Sequence, residues 1–248
     1  MFMTCENIIS TDSLTKKFGS FTAVDSISFD VQRGEIFGFL GANGAGKTTA
    51  MRMLCGLSRP TAGRAEVAGF DVSTQPEQVK RHIGYMSQRF SLYDDLTVAE
   101  NMRLFGGIYG MGSKTIRRKT DACLHSLGLE GERDSLVGSL PLGWKQKLAF
   151  TVATFHEPEI VFLDEPTGGV DPVTRRTFWE LIYLAADRGT TVFVTTHYMD
   201  EAEYCDRVSI MVDGRIEALD TPKALKATFR TDNLYDVFYC LARKAERE

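Results

Sequence analysis

A chain of 248 residues is long enough for one sizeable domain, or for one domain carrying a smaller lobe. Its 43% hydrophobic and 25% charged residues are those of an ordinary globular protein, and a net charge of −4 gives no overall basic field, which argues against a nucleic-acid partner. No apolar run approaches the roughly 20 residues needed to cross a bilayer, and the first ten residues lack the apolar stretch of a signal peptide, so any membrane span must come from another chain.

In chain order the apolar pattern alternates between strand-like runs and helical stretches, which predicts an α/β architecture. Short β-branched or aromatic runs fall at 26–31, 35–40, 64–67, 83–86, 160–163, 191–196 and 207–212. A further run at 215–218 is separated from the last by Asp213 and Gly214, a strong hairpin signal. Helical patterns fit 47–55, 98–109, 113–127, 144–155 and 172–186. The stretch at about 89–140 holds two of these helices and no convincing strand, which predicts a helical lobe set into the α/β core. From Asp232 onward Leu234, Val237, Phe238 and Leu241 share one helical face, so residues 232–248 read as a helical tail docked on the body. The five cysteines, odd in number and scattered, form no Cys-x-x-Cys pair and read as reduced thiols.

The run Gly41-Ala-Asn-Gly-Ala-Gly-Lys47-Thr48 follows a strand pattern and opens a helical one. That is the setting of a phosphate-binding loop. Glycines let successive backbone N–H groups and a helix N-terminus point at an anion. Lys47 is placed to reach β- and γ-phosphates, and the Thr48 hydroxyl to ligate Mg²⁺. The pattern implies a nucleoside triphosphate, with Gly41, Asn43, Gly44, Ala45, Gly46, Lys47, Thr48 and Thr49 as its contacts.

A second apolar run, 160–163, ends in Asp164 and Glu165. At the carboxyl edge of a parallel sheet Asp164 can hold Mg²⁺ and Glu165 can take a proton from an attacking water. His197 ends the run 191–196, where an imidazole can donate to a γ-phosphate oxygen. The other three histidines, His82, His125 and His156, sit in helical or loop contexts without an assigned role.

The order of these motifs resembles the nucleotide-binding subunit of ABC transporters over about residues 10–228. The resemblance implies a P-loop NTPase (RecA-like) core with an inserted helical lobe and an N-terminal antiparallel β subdomain, together spanning residues 1–231. It implies that Phe18 stacks on adenine with Val24 nearby, and that Gln88 contacts Mg²⁺ and the attacking water. It places Glu165 and His197 in catalysis, Asp171 of Gly168-Gly-Val-Asp171 in a loop that crosses a dimer, and ATP and Mg²⁺ as ligands. The stretch His197-Tyr-Met-Asp-Glu-Ala-Glu203 resembles exporters paired with ABC-2 type permeases, including bacterial multidrug exporters. The implied partners are such a permease and a second ATP-binding subunit, at the inner face of the cell membrane. The lobe beginning Arg89-Phe-Ser-Leu-Tyr93 would meet the permease, while its aromatic residues also suit a lobe core. The basic group Lys114, Arg117, Arg118 and Lys119 reads as a solvated helix face.

One segment departs from the family pattern. The signature that usually reads Leu-Ser-Gly-Gly-Gln is here Leu140-Pro141-Leu142-Gly143-Trp144. Proline offers neither hydroxyl nor N–H. Gly143 and the following helix N-terminus remain, so the expected contact to a nucleotide on the opposite subunit is weakened but present.

Overall fold

The computed structural model describes residues 6–88 and 92–245. An antiparallel sheet opens the chain: β1 (Asn7–Phe18), β2 (Phe21–Ile27) and β3 (Asp30–Gln32), joined later by β5 and β6. Next come β4 (Ile36–Gly41), α1 (Lys47–Leu54), β5 (Ala62–Val67), β6 (Phe70–Asp71), α2 (Pro76–His82) and β7 (Ile83–Met86). The lobe contributes α3 (Val98–Ile108) and α4 (Ser113–Leu127), followed by α5 (Leu142–Thr154). The chain then runs β8 (Ile160–Asp164), α6 (Pro172–Asp187), β9 (Thr191–Thr196), β10 (Arg207–Val212), β11 (Arg215–Asp220), α7 (Pro222–Phe229) and α8 (Leu234–Ala245).

The main sheet has the order β11-β10-β4-β9-β8-β7, parallel throughout except for the edge strand β11. Its parallel strands are largely buried on both faces, and residue parity decides which core each side chain joins. Phe37, Phe39, Phe162 and Phe193 face α1 and the antiparallel sheet. Ile36, Leu40, Val161, Leu163, Val192 and Val194 face α5, α6, α7 and α8. A third core fills the lobe, where Val98 and Met102 of α3 and Ile116 and Leu124 of α4 pack on Leu148 and Val152 of α5. The α3 start is fixed by a capping box between Thr97 and Glu100.

The sequence pattern at 26–31, read as one strand, is two. The Thr11 hydroxyl accepts the Phe29 N–H at 2.8 Å and Ser28 Oγ accepts the Ser13 N–H at 2.8 Å, which interrupts the ladder between β2 and β3. Strand β1 escaped the sequence pattern because its alternation is broken around Ser13, at φ +52°. Helices α2 and α7, seven and eight residues long, fall outside the helical patterns of the sequence. Helix α5 begins at Leu142, two residues earlier than its pattern suggests. The hairpin at Asp213 and Gly214 has φ +46° and +84°, the type I′ signature, with Val212 opposite Arg215. Leu234, Val237 and Leu241 of α8 are buried against the main core. Among the described residues, no helix is long and apolar enough to cross a membrane.

Candidate active site

The glycine-rich segment leaves β4 at the centre of the main sheet and enters α1. Its glycines are demanded by space as well as by backbone angle. A Cβ on Gly46, at φ +104°, would stand 2.3 Å from the Ala23 carbonyl oxygen; one on Gly41 would stand 2.5 Å from that of Met211. Ala45 is buried, and its carbonyl accepts the Gly214 N–H at 3.0 Å, tying the loop to the β10–β11 hairpin. Lys47 folds back over the loop and donates from Nζ to the carbonyls of Gly41 at 2.8 Å and Ala42 at 3.0 Å. Burial holds its ammonium below the usual lysine range, opposed by the nearby Glu165 carboxylate.

Asp164 ends β8 two strands away from the loop, and Thr195 of the intervening β9 joins the two. Its hydroxyl donates to Asp164 Oδ1 at 2.7 Å, and Thr48 of α1 donates to the same oxygen at 3.1 Å. Asp164 is 2% exposed, and burial pushes its carboxyl above the ordinary aspartate range despite these two donors.

Glu165 turns sharply out of the strand, at φ +48°, with its N–H donated to the carbonyl of Thr195 at 3.1 Å. A non-glycine residue in this left-handed region stores strain, and such strain concentrates where a side chain must be aimed. Here three groups converge on the carboxylate. Lys47 Nζ lies 3.5 Å from Oε1; Gln88 Nε2 donates to Oε2 at 3.1 Å; His197 Nδ1 is 3.1 Å from Oε2, though off the direction of a hydrogen bond. Gln88 follows β7 and His197 follows β9, so the cluster assembles from the carboxyl ends of neighbouring parallel strands, where open α/β sheets bind ligands.

Two cavities flank Glu165. One of about 300 Å³ is lined by Gln88, His197, Gln146 and the turn at Gly168 and Gly169. The other, of about 370 Å³, runs from Lys47, Thr48, Thr49 and Gly44 outward to Phe18 and Phe21; Asn43 lines both.

The second cavity corrects one expectation. Val24 is fully buried in the core and does not face the cavity; Ala23 lines it instead, because adjacent residues of a strand point to opposite faces. Phe18 remains at the cavity mouth, 55% exposed, with Lys16 Nζ 5.2 Å from its ring centre. Phe21, opposite Phe18 in the β1–β2 register and 64% exposed, was missed, although an aromatic pair across a two-residue turn is visible in the sequence.

Gly143 and Asp171 line neither cavity. Gly143 sits in the first turn of α5, where an added Cβ would meet the Thr174 methyl at 2.7 Å. Asp171 caps α6, its Oδ1 accepting the N–H groups of Val173 at 2.9 Å and Thr174 at 3.0 Å. The Thr174 side chain and these backbone bonds hold its carboxyl below the usual aspartate range. Pro141 stands at the α5 N-cap without a side-chain bond, and Leu142 is 44% exposed. Arg89, Phe90 and Ser91 lie outside the described residues.

Thr48, Asp164 and Gln88 form an all-oxygen, hard donor set, which suits Mg²⁺ sharing its shell with phosphate and water. Among the described residues, no group of three or more His, Cys, Asp or Glu is placed to cage a metal ion.

The sequence profile of the ABC transporter family matches residues 24–168. The probable multidrug ABC transporter ATP-binding protein YbhF of Escherichia coli (strain K12) is 48% identical over 231 residues, covering 93% of this chain and 40% of YbhF. This chain thus spans about two fifths of that relative's length. The Nod factor export ATP-binding protein I of Paraburkholderia xenovorans is 37% identical over 234 residues, 94% of this chain and 77% of that protein. Among solved structures, the ATP-binding cassette MJ0796, a dimer in a post-hydrolysis state bound to ADP and Pi, superposes with a TM-score of 0.78 at 26% identity. It covers 86% of this chain and 98% of its own.

Proposed function

This chain belongs to the ABC transporter family, and on that premise we propose that it binds and hydrolyses ATP to drive export through a separate membrane permease of the ABC-2 type. The observation that carries the proposal is the convergence of Lys47, Gln88 and His197 on Glu165, beside Thr48, Thr195 and Asp164. Backbone N–H groups of residues 41–48 cradle the phosphates, and Lys47 exchanges Glu165 for phosphate oxygens. Phe18 and Phe21 stack on the base. Glu165 accepts the proton of the attacking water, work typically worth about 10²–10⁴ in rate. Gln88 orients that water, and His197 donates to the γ-phosphate. A Mg²⁺ ion, held by Thr48, Asp164 and Gln88, supplies charge neutralisation for the phosphates.

Gly143 and Asp171 serve a nucleotide on a second protomer, a copy or a similar chain, which is why neither lines a cavity beside Glu165. The dimeric ADP-and-Pi state of the MJ0796 cassette supports this arrangement. Contacts to the γ-phosphate close the pair: shifting an equilibrium from 1:99 to 99:1 takes roughly 5.5 kcal/mol. A few charge-assisted hydrogen bonds at about 1.5–3 kcal/mol each supply that. The permease holds the assembly at the inner face of the cell membrane.

Pro141 and Leu142 favour a second reading, an ATP-dependent dimerising module that hardly hydrolyses. Glu165→Gln separates the two. Under the hydrolytic reading the assembled variant binds Mg·ATP but loses turnover by about 10²-fold or more. Equal turnover in variant and wild type defeats it.

A further inference from the structure

Behind the Glu165 cluster lies a second one, whose Glu201, Thr167 and Arg175 line neither cavity and whose Tyr198 reaches the first. Glu201, in the turn after His197, is fully buried. The Thr167 hydroxyl donates to its Oε1, and Arg175 Nε lies 3.4 Å from the same oxygen, off the hydrogen-bond direction. Its Oε2 has no partner. A carboxylate with no exposure and so little satisfaction is costly to keep in a core. Some folds retain such groups because they fix one geometry.

The geometry it fixes is found one residue further out. Arg175 closes the first turn of α6, its N–H donated to the Asp171 carbonyl at 3.0 Å. Its guanidinium lies 4.3 Å from the centre of the Tyr198 ring and 3.4 Å from Asp200 Oδ2. The Tyr198 ring in turn lies 4.2 Å, centre to centre, from that of His197. A continuous path of contacts therefore runs from the 167–171 loop through Glu201 and Arg175 to Tyr198 and His197.

We propose that Glu201, Arg175 and Tyr198 are positioning residues that clasp the 167–171 loop to the loop after β9 and thereby aim His197 at the reacting phosphate. The planar guanidinium matters: it pairs with a buried carboxylate on one side and stacks on a ring on the other, which an ammonium cannot do. This inference rests on the ATPase reading above, and the experiment keeps the two apart.

The full chain carries Tyr198→Leu, Arg175→Lys and Glu201→Gln, each alone and combined with His197→Ala. Misplacing a reacting group by about 1 Å costs up to about 10²-fold, so each single variant is expected to lower turnover on the order of tenfold. The Kd for Mg·ATP stays within about twofold, the scatter of independent effects. Tyr198→Phe, which keeps the ring, restores turnover, and on the His197→Ala background the same substitutions add no further loss. The ¹H–¹⁵N resonances of the His197 ring, identified by their absence in His197→Ala, should shift in Tyr198→Leu and Arg175→Lys. They should stay in place in Val237→Ala, a core variant remote in sequence from the clasp. Unmoved His197 resonances in the clasp variants, or losses that persist without His197, overturn the proposal. A wild-type protein that fails to turn over Mg·ATP even when assembled refutes the ATPase reading, and the resonances still test the clasp.

Discussion

Thr195→Val tests whether the strand between the phosphate loop and Asp164 governs the site. The substitution keeps the branched shape and removes one hydroxyl. That hydroxyl donates to Asp164 Oδ1 at 2.7 Å and also accepts the Glu165 N–H at 3.1 Å. The N–H keeps the Thr195 backbone carbonyl at 3.1 Å, so it is not orphaned, and the loss falls on the carboxylate, left with Thr48 at 3.1 Å. A hydrogen bond to a charged group is worth about 1.5–3 kcal/mol, and we expect a loss of stability of that size at neutral pH.

The pH dependence follows from the sign of the Asp164 shift. Burial raises its folded pKa above the ordinary 3.8, so between those values the folded chain holds more proton than the unfolded one. Stability contributed at this group therefore falls as pH rises through that window, and above it the full cost of burying the charge stands. Removing the Thr195 donor raises the folded value further. The deficit of the variant is greatest near pH 7 and shrinks as pH falls into the window. Urea unfolding of both proteins at pH 7.5 and pH 5 measures it. A deficit under about 0.5 kcal/mol at pH 7.5, the scatter of neutral surface changes, or one that grows on acidification, refutes the reasoning.

The cavity mouth separates two neighbouring side chains. Phe21→Ala should weaken nucleotide binding by about 1–3 kcal/mol, the worth of one stacked base, with little change in stability. Val24→Ala should remove about 2 kcal/mol of stability through two buried methyl groups and leave the nucleotide Kd in place; calorimetry and urea unfolding read both. Restoring polarity and space in the signature segment with Pro141→Ser and Leu142→Gly should speed ATP turnover in the assembled complex, and unchanged or slower turnover counts against the weakened-contact account. Mg·ATP at about 100 times its Kd should stabilise the chain by about 2.7 kcal/mol; EDTA should abolish most of that gain, and a gain that survives chelation argues against a cation between Thr48 and Asp164.

What the sequence disclosed and what it hid divide along physical lines. The glycine-rich loop between β4 and α1, the acidic strand end and the Asp213–Gly214 turn were legible because each is a local backbone requirement with a residue-type signature. Phe18 and Val24 were matched by position alone, and only strand parity, invisible until β2 has its register, sends Val24 inward and Ala23 outward. Thr195 looked like one more β-branched strand residue. Its role depends on which strand lies between β4 and β8, which is a property of topology. Arg175 and Glu201, 26 residues apart, pair through a contact that no spacing rule foretells.

Sheet register is what turns these scattered residues into one site. Thr195 lies opposite Phe39 on one side and Asp164 on the other. Side chains alternate, so Thr195 and Asp164 fall on the face of Phe39, Phe162 and Phe193, the face on which α1 packs and from which Thr48 reaches in. The phenylalanine rings pack with centres 5.3–5.6 Å apart beneath the site. A slip of one residue in β9 would send Thr195 to the opposite face and bury Val194 against the rings. The same slip would put Phe193 among the aliphatic side chains under α5 and α6, where the closely packed volume has no place for it. The aromatic core is therefore the register lock of the Thr195 hydroxyl and the Asp164 carboxylate, and the geometry at the strand ends inherits its precision from apolar packing one pleat below.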